Sequence, residues 1–164
     1  MPVSVRPAVP AAARLFAGGI YLWFGLAKII DVDLTIRSVR AYQILPEAIV
    51  PAFGTALPVV EMALGVLLVA GLVTRAAALA TGLLSLAFFL AICSAWVRGL
   101  SIECGCFGNS GYTADPVPGY VRELVINALI IAACWWLIRR PASRFSLDSA
   151  LGLSPPTVKE LSHD

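Results

Sequence analysis

The sequence predicts an all-α integral membrane protein: a four-helix bundle with a short interfacial helix in its first extracytoplasmic loop. Two observations carry that prediction. Of the 164 residues 59% are hydrophobic and only 13% charged, with a mean hydropathy of +0.86, whereas soluble domains run near ~45–50% apolar and ~25% charged. The charges also gather in short segments, leaving four long apolar stretches between them. Each is about twenty residues long, enough to cross ~30 Å of hydrocarbon.

The stretches run from Ala11 to Ile30, Pro51 to Ala70, Ala76 to Val97 and Tyr120 to Ile138, separated by segments carrying Gly, Pro, Asn and Asp. The first follows Arg6 and Arg14 as a signal peptide would. It is too long for an h-region and ends in Lys28-Ile29-Ile30-Asp31 rather than a small-residue cleavage site, so it is expected to stay as an anchor. Gly71-Leu72-Val73-Thr74-Arg75 supplies a helix stop, a helix start and a charge, which suits a tight turn making the second and third helices antiparallel neighbours. Between Asp31 and Val50 the chain is too polar to span. Ile36, Val39 and Tyr42/Gln43 recur near helical spacing there, with Arg37 and Arg40 on other faces, as in a helix lying at the interface.

Four spans place both termini on one side. Arg6, Arg14, Arg75, Arg139, Arg140, Arg144 and Lys159 then share that side, against Lys28, Arg37, Arg40, Arg98 and Arg122 on the other. The positive-inside rule therefore favours cytoplasmic termini in the plasma membrane, with the loop before the last helix outside. The division is a cytoplasmic N-terminal segment (1–10), a membrane domain (11–138) and a flexible, Ser/Pro-rich cytoplasmic tail (139–164). A net charge of +2, without a Lys/Arg run or aromatic-basic interleaving, argues against nucleic acid. The expected surroundings are lipid.

Glu61 stands near the middle of the second stretch, where an ionised carboxylate costs ~2.5–3.5 kcal/mol on insertion scales. It must be neutral, paired or facing water, and Pro58 and Gly65 one turn either side mark a small, irregular face suited to the bundle interior. Lys28 and Asp31 are three apart and can pair while Lys28 snorkels. Arg122 and Glu123 read as boundary markers of the fourth helix. Near a thiolate, Arg122 or Arg98 would lower its pKa and Glu103 would raise it.

The four cysteines differ in depth. Cys93 lies near the loop end of the third helix and Cys134 near the far end of the fourth. At ~1.5 Å per residue they are separated by roughly 15 Å, whereas a disulfide needs Cα atoms within ~7 Å. Both read as small buried apolar residues. Cys104 and Cys106 flank Gly105 outside the membrane core and can bridge without a particular fold. A disulfide across one residue closes a strained ring, and strained exposed disulfides are labile and oxidising. The same spacing also fits a static loop staple or half of a metal site. The lone His163 is in the tail on the opposite side, which argues against a Cys/His site, and no metal is expected.

Several segments together resemble the MauE family within the wider DoxX-like membrane proteins: Gly18/Gly19 with Phe24-Gly25 and Lys28; Ser38-Val39-Arg40-Ala41-Tyr42-Gln43-Ile44-Leu45-Pro46; Pro58-Val59-Val60-Glu61-Met62-Ala63-Leu64-Gly65; and Glu103-Cys104-Gly105-Cys106-Phe107-Gly108 followed by Arg122. The likeness covers residues 12–138. It implies maturation of a disulfide-rich extracytoplasmic dehydrogenase alongside a thioredoxin-like partner, with Cys104 and Cys106 as the redox pair. Glu61, Lys28, Arg40 and Arg122 would be the polar set of the bundle. Glu123 follows the matched arginine where the family carries shorter acidic or amide side chains.

The reading favoured by these residues is a membrane thiol-disulfide oxidoreductase exchanging electrons with that thioredoxin-like partner. A lipid quinone is a candidate electron acceptor, with Lys28, Arg40 or Arg122 polarising its carbonyl, although the sequence carries no quinone motif. The rival is a non-catalytic assembly subunit whose cysteines staple the loop. A carrier built around Glu61 and a metal relay through Cys104 and Cys106 rank lower.

Overall fold

A computed structural model describes residues 8–104, 110–112 and 115–139. Among the described residues four helices are long and apolar enough to cross a membrane: α1 (Ala8–Ile30), α3 (Val50–Ala70), α4 (Thr74–Val97) and α5 (Val117–Arg139). Between α1 and α3 lies the ten-residue α2 (Val32–Ala41). Each span buries little more than a third of its apolar window inside the molecule at most. The rest is presented outward as side chains such as Leu15, Trp23, Val66, Leu83 and Leu129. Exposed apolar surface on that scale is stable against hydrocarbon, not water, and the chain is a multi-pass membrane protein.

The bundle is made of two tight pairs, α1 on α3 and α4 on α5, joined mainly where α1 meets α5. Close approach in the first pair depends on glycine. A Cβ on Gly18 would lie 3.0 Å from Gly65 O, one on Gly65 2.9 Å from Gly18 O, and one on Gly25 2.9 Å from Pro58 O. These backbones touch as in the small-residue contacts of membrane helices. The tight turn expected after α3 is present: Gly71 is left-handed at φ 71°, and its N–H and that of Leu72 bond back to Leu67 O. α3 and α4 are neighbours across that turn, as expected, but α3 turns its small face to α1 and touches α4 more lightly. The turn fixes sequence adjacency; the glycines decide the packing.

The helix expected in the first loop exists. Asp31 caps it, its Oδ1 accepting from Leu34 N at 2.8 Å, and Thr35 Oγ1 donates to Lys28 O and Asp31 O across the turn from α1. Its most buried residues are Thr35 and Ser38, while Ile36, Val39 and Tyr42 are half-buried. The small polar side chains let α2 settle onto the start of α3, where Gly54 meets the Ile36 backbone.

A feature not expected from the sequence follows α4. β1 (Ile102–Cys104) and β2 (Ser110–Tyr112) form a two-stranded antiparallel hairpin with Cys104 opposite Ser110. Three-residue strands carry too little alternation to be seen by pattern.

Candidate functional site

Lys28 sits two residues before the end of α1, and its side chain runs inward rather than out to the interface. Its Nζ donates to Glu61 Oε1 at 2.5 Å, with side chains 5% and 0% exposed. The expected Lys28–Asp31 pair is therefore not formed: Asp31 instead caps α2 through Leu34 N. Glu61 is paired, one of the three states open to it. Its Oε2 accepts no hydrogen bond among the described residues. Phe24 and Phe88 place their ring centroids 5.5 Å and 4.9 Å from the ammonium, so its charge meets both a carboxylate and aromatic faces.

Polar residues continue from there through the bundle. Tyr21 donates to Thr81 O at 3.0 Å or shares its hydroxyl with Ser85 Oγ at 2.7 Å. Asn127 Nδ2 donates to Glu123 O at 2.9 Å, and both residues are fully buried. Glu123 is thus an interior residue of α5 rather than a boundary marker. Tyr120, Glu123, Asn127, Ile130, Cys134 and Leu137 form one buried face at helical spacing, and that period was the signal for it. At the far end Arg14, 3% exposed, donates from Nε to Leu68 O at 3.2 Å and from a terminal nitrogen to Val69 O at 3.4 Å. It caps the C-terminus of α3 and is more than a charge marking one side.

Arg40 and Arg122 lie apart from Lys28 and Glu61. Arg40, half exposed, makes a forked contact with Glu47: Nε at 2.8 Å and 3.0 Å from the two oxygens, and a terminal nitrogen at 2.6 Å. This contact raises the Arg40 pKa and lowers that of Glu47, chiefly through the shared hydrogen bond. Arg122 is exposed and stands 3.5 Å from Glu123. Arg98 donates to Tyr42 O at 2.8 Å, tying the end of α4 to the end of α2.

The cysteine hairpin is seated on this end of the bundle. Ile102 is buried with Ile92, Ala95 and Tyr120, and Ala41 and Tyr42 pack against the cluster. The Tyr120 hydroxyl donates to Leu100 O at 2.6 Å and accepts from Ile102 N at 3.4 Å. Cys104 is the last residue of β1; Cys106 lies outside the described residues. Cys93 and Cys134 are free thiols. Cys134 packs beside Gly82, and Cys93 lies eleven residues further along α4, ~16 Å at ~1.5 Å per residue.

A cavity of about 470 Å³ lies between α3 and α4 beneath α2, in the gap left by their light packing. Its wall is apolar, from Phe53 and Leu57 on one side to Leu84, Phe88 and Ala91 on the other, with Lys28, Thr35, Ser38 and Ser94 supplying polar atoms. Of the cationic residues raised as quinone contacts, Lys28 lines it and Arg40 and Arg122 do not.

Comparison with known proteins places the chain in a family. The family model described as methylamine utilisation protein MauE matches residues 6–140. The methylamine utilization protein MauE of Paracoccus denitrificans is 34% identical over 131 residues, covering 78% of this chain and 69% of that protein. No solved structure matches significantly. With a family model spanning the whole membrane domain and a relative at this identity, the chain belongs to the MauE family.

Proposed function

We propose that the protein is a membrane-embedded thiol-disulfide oxidoreductase that helps mature an extracytoplasmic protein, working through Cys104 and Cys106 with a thioredoxin-like partner. The observation that supports it most is the seat of Cys104. The residue ends a strand whose first residue, Ile102, is buried with Tyr120 and donates its N–H to the Tyr120 hydroxyl, so the cysteine pair begins two residues from a fixed point of the chain. Its neighbour in the chain, one glycine away, is the second thiol.

In the proposed cycle a partner thiolate attacks one sulfur of the 104–106 disulfide and displaces the other as a thiolate, forming a mixed disulfide. The partner's second thiolate then attacks its own sulfur in that bond. The partner leaves as a disulfide, and Cys104 and Cys106 are left as a dithiol carrying the two electrons. The ring's strain drives the first step. Cytoplasmic termini and an extracytoplasmic hairpin in the plasma membrane are part of the proposal, since disulfide chemistry persists on the oxidising side. The family's link to methylamine utilisation supports a maturation role without specifying the client.

The test is Cys106→Ser in the native host. A reductant-sensitive adduct through Cys104 with an extracytoplasmic protein is expected. If neither cysteine change alters the redox state of any such protein, the cysteines are a staple and the assembly-subunit reading stands instead.

A further inference from the structure

We propose that the cavity between α3 and α4 holds one acyl chain of a phospholipid from the leaflet on α2's side of the membrane, completing the packing these two helices do not make with each other. The inference is independent of the thiol chemistry and stands on the depth, opening and wall of the cavity. Its lining runs along α4 from Leu84 to Ser94 and takes in Phe53 and Leu57 from the first two turns of α3. Ten residues of helix rise ~15 Å, half of the ~30 Å hydrocarbon core. The cavity is therefore about as deep as one leaflet, the reach of a single chain. Phe53 and Leu90, which line it, are also 42% and 58% exposed on two membrane-spanning helices, so the space is continuous with the surface that meets lipid.

The wall calls for hydrocarbon. Thr35 Oγ1 donates to the carbonyls of Lys28 and Asp31, each at 3.2 Å, and Ser38 Oγ donates to Leu34 O at 3.0 Å. Lys28 is held by Glu61 and by the rings of Phe24 and Phe88. These polar lining residues are thus committed to groups of the protein itself, while side chains such as Leu57, Leu84, Phe88 and Ile92 make up most of the surface. Water in such a space would lack the ~2–4 polar partners that hold a buried molecule. Left empty, the volume of about 470 Å³ would deprive its lining of dispersion contacts. An acyl chain restores those contacts and needs no donor or acceptor.

The chain is selected and the head group is not. Recognition of anionic heads takes clustered Lys and Arg. On α2, the segment leading to α3 and the end of α4, Arg37, Arg40 and Arg98 are balanced by Asp31, Asp33 and Glu47, with Arg40 and Glu47 paired to each other. An anionic head gains nothing there over a zwitterionic one.

The experiment uses the full chain in nanodiscs of phosphatidylethanolamine and phosphatidylglycerol with a trace of phosphatidylcholine carrying a diazirine, either at the end of one acyl chain or near its carboxyl. Mass spectrometry after photolysis locates the labels. The chain-end probe should label Leu57 and Leu84, and the other probe Phe53 and Ser94. Leu57, 6% exposed, lies out of reach of lipid that only coats the bundle, so its label reports entry. Ala91→Phe, which fills the space, should lower the Leu57 label about tenfold or more, the equivalent of ~1.4 kcal/mol. Leu83→Phe on the outward face should leave it unchanged, as should exchange of the phosphatidylglycerol for phosphatidylcholine. The depth order of the two probes is read on the native chain and stands whether or not Ala91→Phe assembles. Labels confined to outward residues, a reversed depth order, or a Leu57 label that Ala91→Phe does not reduce would overturn the proposal. So would a strong dependence on the head group, which would make this a head-group site.

Discussion

Lys28 of α1 and Glu61 of α3 form an ion pair, Nζ to Oε1 2.5 Å, inside the bundle, 5% and 0% exposed. The pair holds together the helices that Gly18, Gly25 and Gly65 bring into contact. It also sets the charge at the inner end of the cavity.

Removing one partner leaves an uncompensated buried charge, which costs ~3–5 kcal/mol, whereas removing both leaves none. Lys28→Met and Glu61→Leu should each lower the thermal midpoint in detergent strongly. The double variant should recover most of the loss. Additive losses in the double variant would show that the two side chains act independently.

The helix contact predicts opposite outcomes at adjacent glycines. Gly18→Ala places a Cβ 2.8 Å from Val69 Cγ2 and 3.0 Å from Gly65 O, and overpacking of this kind costs ~1–3 kcal/mol. Gly19→Ala meets nothing within 4 Å and should gain up to ~1 kcal/mol of helix propensity. Unfolding of both variants in one detergent checks the sign at each position.

Arg14 caps α3 from a neighbouring helix. Arg14→Ala removes a charged donor from buried carbonyls, worth ~1.5–3 kcal/mol. Arg14→Lys keeps a cation at the helix terminus and should recover part of it. Hydrogen exchange at the Gly71 and Leu72 amides reports the local effect, which should exceed that at the start of α3.

Glu47 carries a pH signature. Its pKa lies below the usual carboxylate value because Arg40 bonds the ionised form. A depressed folded pKa contributes stability above the unfolded value, and this is lost as pH falls through the folded one. The pair is exposed and salt-screened, so its weight is small. Carbon-13 titration should show Glu47 below ~4.3, and Arg40→Gln should bring it back toward that value.

The spans were legible because lipid imposes a length and an apolar composition on every crossing. The stretch read as Pro51 to Ala70 is the helix Val50–Ala70. Partner choice was not legible. Spacing along one helix offered Asp31 to Lys28, while the residue that binds it is Glu61, 33 positions away, because the facing of two helices is set by where their glycines allow contact. Glu123 looked like a boundary charge beside Arg122, although the period from Tyr120 to Leu137 would have placed it inside. The cavity could not be foreseen, since it lies where α3 and α4 pack only lightly. Cys104 and Cys106 were singled out by residue type, spacing and the family resemblance, whereas the hairpin strand that ends at Cys104 was not expected.

The most direct test of the proposed chemistry is thiol trapping of Cys104 and Cys106 in native membranes equilibrated across a series of redox buffers. A reversible two-electron transition with a midpoint above ~−300 mV, the level below which structural disulfides lie, is the expected result. Cysteines that stay oxidised through the whole series, in a chain whose Cys104→Ser variant leaves every extracytoplasmic protein in its normal redox state, would contradict it.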